Sequence, residues 1–120
     1  MILKKDIARL HHITQESNDF THQQCALNAL KGGVKWIQLR VKNKSDKAVY
    51  EIAKEVKTLC HEFKATFIIN DYLEIAKELD LDGIHLGMTD TSTKVARDIL
   101  GESKIIGGTA NTLDHILHHY

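Results

Sequence analysis

Gln38, Arg40 and Lys42 stand at i, i+2 and i+4 within Gln38-Leu39-Arg40-Val41-Lys42. On a β-strand that spacing points all three side chains to one face. One amide and two cations at the end of an otherwise apolar strand suit a phosphate or a pyrophosphate. Asn70-Asp71 and then Asp90 follow further along the chain. Two aspartates at the ends of later strands suit the Mg²⁺ that usually accompanies such a group. The expected chemistry is metal-assisted handling of a diphosphate, on a chain that looks too short to carry all of it.

The elements that must position these residues alternate. Leu10 to Thr14 is a short candidate strand. Thr21 to Lys31 reads as a helix with Ala26, Leu27 and Leu30 on one side, stopped by Gly32-Gly33. Val34 to Val41 is a second strand, apolar on both faces until its polar end, as expected of a strand buried on both sides. Ser45 opens the clearest helix, to Phe63, with Val49, Ile52, Ala53, Val56, Leu59, Cys60 and Phe63 at three- and four-residue spacing. Thr66 to Ile69 is a strand, Tyr72 to Leu79 a short helix, and Gly83 to Leu86 a fourth strand. Thr91 or Ser92 caps a helix to Leu100 with Val95, Ala96 and Ile99 inward. Lys104 to Gly107 is a fifth strand, and Leu113 to His119 begins a fifth helix.

Five β/α units with short connections imply one α/β domain over residues 1–120, a parallel sheet covered by helices. An open doubly wound sheet and part of a TIM (β/α)₈ barrel both fit. A whole barrel typically takes about 250 residues. The chain has 120 residues, so length alone favours the open sheet.

Composition narrows the partners. Sixteen basic and sixteen acidic residues cancel, which argues against a nucleic-acid surface or an anionic membrane as the main partner. No stretch approaches the apolar length of a membrane span, and the start has no apolar leader. The cytoplasm is the expected location. Cys25 and Cys60 both fall on apolar helix stripes and read as small buried residues. His115 and His118 are one helical turn apart, but no third metal ligand accompanies them.

Polar groups gather where strands end: Gln38, Arg40 and Lys42, then Asn70 and Asp71, then Asp90, then Thr109 and Asn111. Either architecture places its active site at that end of the sheet. Taken singly, Asp71 and Asp90 read as caps for the helices that follow them. Four successive strands ending in anion- or metal-compatible groups read as a site. Gly107-Gly108 would let a ligand approach the backbone and leave amides for an oxyanion. His85 reads as a satisfied core histidine. There is no GxGxxG and no P-loop lysine.

At these residues the chain resembles the thiamine-phosphate synthase (pyrophosphorylase) family. The resemblance rests on Gly32-Gly33-Val34-Lys35-Trp36-Ile37-Gln38-Leu39-Arg40-Val41-Lys42, Ile68-Ile69-Asn70-Asp71, Asp82-Gly83-Ile84-His85-Leu86-Gly87, Asp90, and Ile105-Ile106-Gly107-Gly108-Thr109-Ala110-Asn111-Thr112. It implies a (β/α)₈ barrel that joins hydroxymethylpyrimidine diphosphate to thiazole phosphate, releasing pyrophosphate. It implies that Gln38, Arg40, Lys42 and Asn70 hold the pyrimidine diphosphate. Asp71 and Asp90 would bind Mg²⁺, and Thr109 would contact the leaving pyrophosphate, making Arg40, Lys42 and Thr109 the catalytic groups.

The chain departs from the family at Met88, where glutamine is usual, at Thr109, where serine is common, and at Asn111, where histidine is common. The missing histidine separates it from the related thiazole tautomerase, which is the alternative activity. The sixth to eighth strands, with their own phosphate-binding loops, have no counterpart here. A barrel cut at this point exposes two sheet edges, so the 120 residues alone are expected to be weakly stable or to self-associate. A non-catalytic protein that binds a phosphorylated ligand is the alternative from another class.

Overall fold

The computed structural model describes residues 7–87 and 92–108. The element order is β1 (His12–Ile13), α1 (His22–Lys31), β2 (Trp36–Leu39), α2 (Asp46–Glu62), β3 (Thr66–Asn70), α3 (Leu73–Glu78), β4 (Gly83–Leu86), α4 (Thr93–Leu100) and β5 (Ile105–Gly108). The expected helix at Leu113 to His119 lies outside the described residues.

Helix starts follow the expected local chemistry. Thr21 caps α1 in a reciprocal box, accepting from the Gln24 N–H at 3.1 Å while its own N–H donates to Gln24 Oε1 at 2.8 Å. Ser45 and Ser92 cap α2 and α4 through their hydroxyls. The N-cap residue of α3 is Tyr72 rather than Asp71; it has a left-handed conformation and makes no side-chain cap bond.

All five strands are parallel and lie in the order β1-β2-β3-β4-β5. A doubly wound sheet reverses its order at a switch point. A strictly sequential order is that of a barrel wall, so the structure gives the arc of a (β/α)₈ barrel and removes the open-sheet alternative.

The register sorts the side chains onto two faces. Ile37 is level with Phe67, and Leu39 with Ile69, which in turn is level with Ile84. These alternate residues join Ala26, Leu30, Val49, Ala53, Val56, Ile75, Ala76 and Ala96 of the four helices in one buried core. All four helices therefore cover the same face. The opposite, inner face carries Ile13, Trp36, Gln38, Ile68, Asn70, His85 and Gly107. Trp36 is buried there, stacked on His11 with ring centroids 4.1 Å apart.

Two positions expected to be buried are not. Val95 is 45% exposed, because α4 rests on the edge strand β5 and beside α3, and only Ala96 of its stripe becomes fully buried. Cys25 is half-buried, its thiol donating to the Gln15 carbonyl at 3.3 Å. Cys60 is buried in the core, and burial, reinforced by the Asp82 carboxylate, pushes its thiol up to about 12. It is an inert packing residue.

Candidate functional site

The inner face becomes polar at the C-terminal ends of the strands. Gln38 is almost fully buried on β2, and its Oε1 accepts from Asn70 Nδ2 of β3 at 3.3 Å. That bond orients the Gln38 amide and leaves its own NH₂ group as a donor. Asn70 is level with His85, and His85 with Gly107. A methyl group at Gly107 would sit 3.0 Å from His85 Nδ1, so glycine is what lets the histidine lie across β5.

His85, read from the sequence as a satisfied core histidine, lies on the same inner face as Gln38 and Asn70. It is half-buried on the inner face rather than packed in the core. The available signal was its place between Ile84 and Leu86. Both neighbours face the helices, so the residue between them must face inward.

Arg40 and Lys42 follow β2 and are exposed. Among the described residues neither side chain makes a hydrogen bond or ion pair. The Arg40 backbone is fixed, since its N–H donates to Thr14 Oγ1 at 3.2 Å. A polar network thus positions the main chain and leaves the guanidinium to solvent. Lys44 is paired with Glu16 at 3.1 Å, which ties the loops after β1 and β2 together.

Asp71 is half-buried at the end of β3, and its N–H donates to the His85 carbonyl at 2.8 Å. Asp71 and Tyr72 both have positive φ, 63° and 58°. Two consecutive non-glycine residues in this region cost about 1–3 kcal/mol each and recur at functional sites. Tyr72 and Asp71 border a cavity of about 500 Å³ with Asp46, Tyr50 and Glu74. Burial, then Asp46 and Asp71, raise the Tyr72 hydroxyl pKa, so it stays protonated.

The structure thus brings Gln38 and Asn70 together, with Arg40, Lys42 and Asp71 at the same end of the sheet. Asp90, Thr109, Met88 and Asn111 lie outside the described residues. Among the described residues no three histidine, cysteine or acidic side chains form a metal cluster. Mg²⁺ needs no such cage. One or two carboxylates suffice when a substrate phosphate and water complete the octahedron. Asp71 supplies one hard oxygen donor of that kind, so the residues present fit the ion.

Residues 10–120 match the family model described as thiamine monophosphate synthase. A thiamine-phosphate synthase of Bacteroides thetaiotaomicron is 45% identical over 111 residues, which cover 92% of this chain and 53% of that protein. One from Flavobacterium psychrophilum is 51% identical over 89 residues, covering 74% of this chain and 43% of that protein. The solved structure of thiamine phosphate pyrophosphorylase from Pyrococcus furiosus superposes with a TM-score of 0.77 at 32% identity, covering 89% of this chain and 52% of that one. The chain spans about half the length of the curated relatives it matches.

Proposed function

The chain belongs to the thiamine monophosphate synthase family, and on that premise we propose that it carries the diphosphate- and metal-binding half of a thiamine-phosphate synthase. The observation that carries this reading is the row of Gln38, Asn70 and His85 on the inner face, with two uncommitted cations beside it. The substrates are hydroxymethylpyrimidine diphosphate and thiazole phosphate, the products thiamine phosphate and pyrophosphate, and the location is the cytoplasm.

In this reading Gln38 and Asn70 orient the pyrimidine diphosphate by hydrogen bonds from the inner face. Arg40 grips the diphosphate as a bidentate fork, and Lys42 adds a point charge. Breaking the carbon–oxygen bond leaves negative charge on the departing pyrophosphate, which the two cations are placed to receive. The electron-rich pyrimidine ring stabilises the positive charge left on its methylene. Thr109 contacts the pyrophosphate through its hydroxyl. Asp71 and Asp90 would hold Mg²⁺, which when bound would neutralise diphosphate charge as a Lewis acid. No nucleophilic side chain is required, in keeping with a site built of amides, cations and carboxylates.

Asp71→Ala in the complete protein is expected to abolish Mg²⁺-dependent thiamine phosphate formation, followed by product chromatography. Normal turnover in that variant would contradict the metal assignment.

A further inference from the structure

Among the described residues three polar side chains are buried: Thr14, His22 and Gln38. Gln38 belongs to the site. The other two are bonded to each other, Thr14 Oγ1 to His22 Nδ1 at 2.8 Å. Burying a hydroxyl and an imidazole is unfavourable unless both are satisfied, so their shared third partner is informative. That partner is the backbone N–H of Arg40, at 3.2 Å from the same Thr14 oxygen.

The contact replaces a rung of the sheet. The Thr14 N–H donates to the Gln38 carbonyl at 2.9 Å. In a regular parallel ladder the next bond would run from the Arg40 N–H to the Thr14 carbonyl. The Thr14 hydroxyl takes that bond instead. A hydroxyl has one proton and two lone pairs. The Arg40 N–H occupies one lone pair, and His22 Nδ1 lies 2.8 Å from the same oxygen, so the assignment that uses the buried hydroxyl fully sends its proton to Nδ1. Burial, opposed by Glu16 and assisted by Lys44, lowers the His22 pKa, which favours the neutral ring that this assignment needs.

His22 is itself held. It is the first residue of α1, directly after the Thr21–Gln24 capping box. A continuous path thus runs from the start of α1 through His22 and Thr14 to the main chain that bears the Arg40 guanidinium.

We propose that His22 and Thr14 are positioning residues for the diphosphate, acting through the Arg40 backbone rather than by touching the ligand. The proposal rests on the reading of Arg40 as a diphosphate contact.

The test is calorimetric titration of inorganic pyrophosphate, with Mg²⁺ in excess, into the complete protein and four variants: Thr14→Val, Thr14→Ser, Arg40→Ala, and Thr14→Val combined with Arg40→Ala. Thr14→Val keeps the shape and removes the hydroxyl, and is expected to weaken binding about tenfold. Thr14→Ser restores the hydroxyl and should bind within about twofold of the native protein. In the Arg40→Ala background Thr14→Val should cost nothing further, because the group it positions is gone. Native affinity in Thr14→Val, or a full additional loss in the double variant, overturns the proposal. Native affinity in Arg40→Ala overturns instead the reading of Arg40. Should Thr14→Val not fold, amide hydrogen exchange at Arg40 in His22→Ala reads the same path. Faster exchange is expected, and unchanged exchange overturns the proposal.

Discussion

The two ends of the sheet treat charge and backbone strain in opposite ways. At the N-terminal end four cations are engaged by the protein. Lys35 Nζ donates to the Phe63 carbonyl at 2.8 Å and Lys57 Nζ to the Leu79 carbonyl at 2.6 Å, both at helix C-termini. Arg97 donates to the carbonyls of Gly101 and Lys104, and Lys104 pairs with Asp80 at 2.5 Å. At the C-terminal end Arg40 and Lys42 are exposed, with no side-chain partner among the described residues. Four cations at one end close turns, whereas at the other Lys44 pairs with Glu16 and Arg40 and Lys42 stay uncommitted among the described residues.

Backbone conformation divides the same way. Gly33, Lys64 and Asp80 have positive φ, and each follows a helix cap in a paired C-terminal motif. For α2 the Lys64 N–H donates to the His61 carbonyl and the Ala65 N–H to the Cys60 carbonyl. The ends of α1 and α3 repeat this with Gly33 and Val34, and with Asp80 and Leu81. At these turns helix termination explains the conformation. Asn43, Asp71 and Tyr72 also have positive φ, but they follow strands β2 and β3. Helix termination cannot account for them, and all three flank the proposed diphosphate and metal groups.

The contrast breaks if matched changes at the two ends behave alike. Asp71 and Asp80 are both aspartates with positive φ. Asp71→Asn is expected to lower turnover by roughly a hundredfold or more. Asp80→Asn should leave turnover unchanged and cost about 0.2–1 kcal/mol of stability through its exposed ion pair. Equal losses of activity would show that the ends are not specialised.

Acid should act through His22. Its folded pKa lies below the ordinary 6.5 because burial disfavours the charged ring, with Glu16 opposing and Lys44 assisting. A depressed histidine contributes stability that is present above 6.5 and is lost as pH falls from there through the folded value. The melting temperature of native protein should fall over that window more than that of His22→Gln. Parallel curves would refute a buried neutral ring. The smallest effect is expected at Lys64→Gly, which relieves the positive φ at a helix end. The gain should be about 0.5 kcal/mol by denaturant unfolding, with turnover unchanged.

Most of the element pattern was legible because it is local. Thr21, Ser45 and Ser92 advertise helix starts, and the stripe from Val49 to Phe63 advertises a face. What stayed hidden depends on register or tertiary contact. Nothing in the chain says that His85 is level with Asn70, since pairing is set by the whole sheet. Sequential strand order, which separates a barrel arc from an open sheet, is likewise a tertiary property. Lys64 is not a residue that announces a left-handed turn, so the stops read from the sequence were the glycines, Gly32-Gly33 and Gly101. Thr14 and His22 were read simply as parts of a strand end and a helix start, because their bond to the Arg40 main chain spans three segments.

The most direct test of the contrast is pyrophosphate affinity, by calorimetry with Mg²⁺ in excess, for the complete protein carrying Arg40→Ala or Lys57→Ala. Removing the uncommitted cation should weaken binding by about tenfold or more, and removing the committed one should leave affinity unchanged. Native affinity in Arg40→Ala, or an equal loss in Lys57→Ala, would contradict the assignment of the C-terminal end of the sheet to the diphosphate.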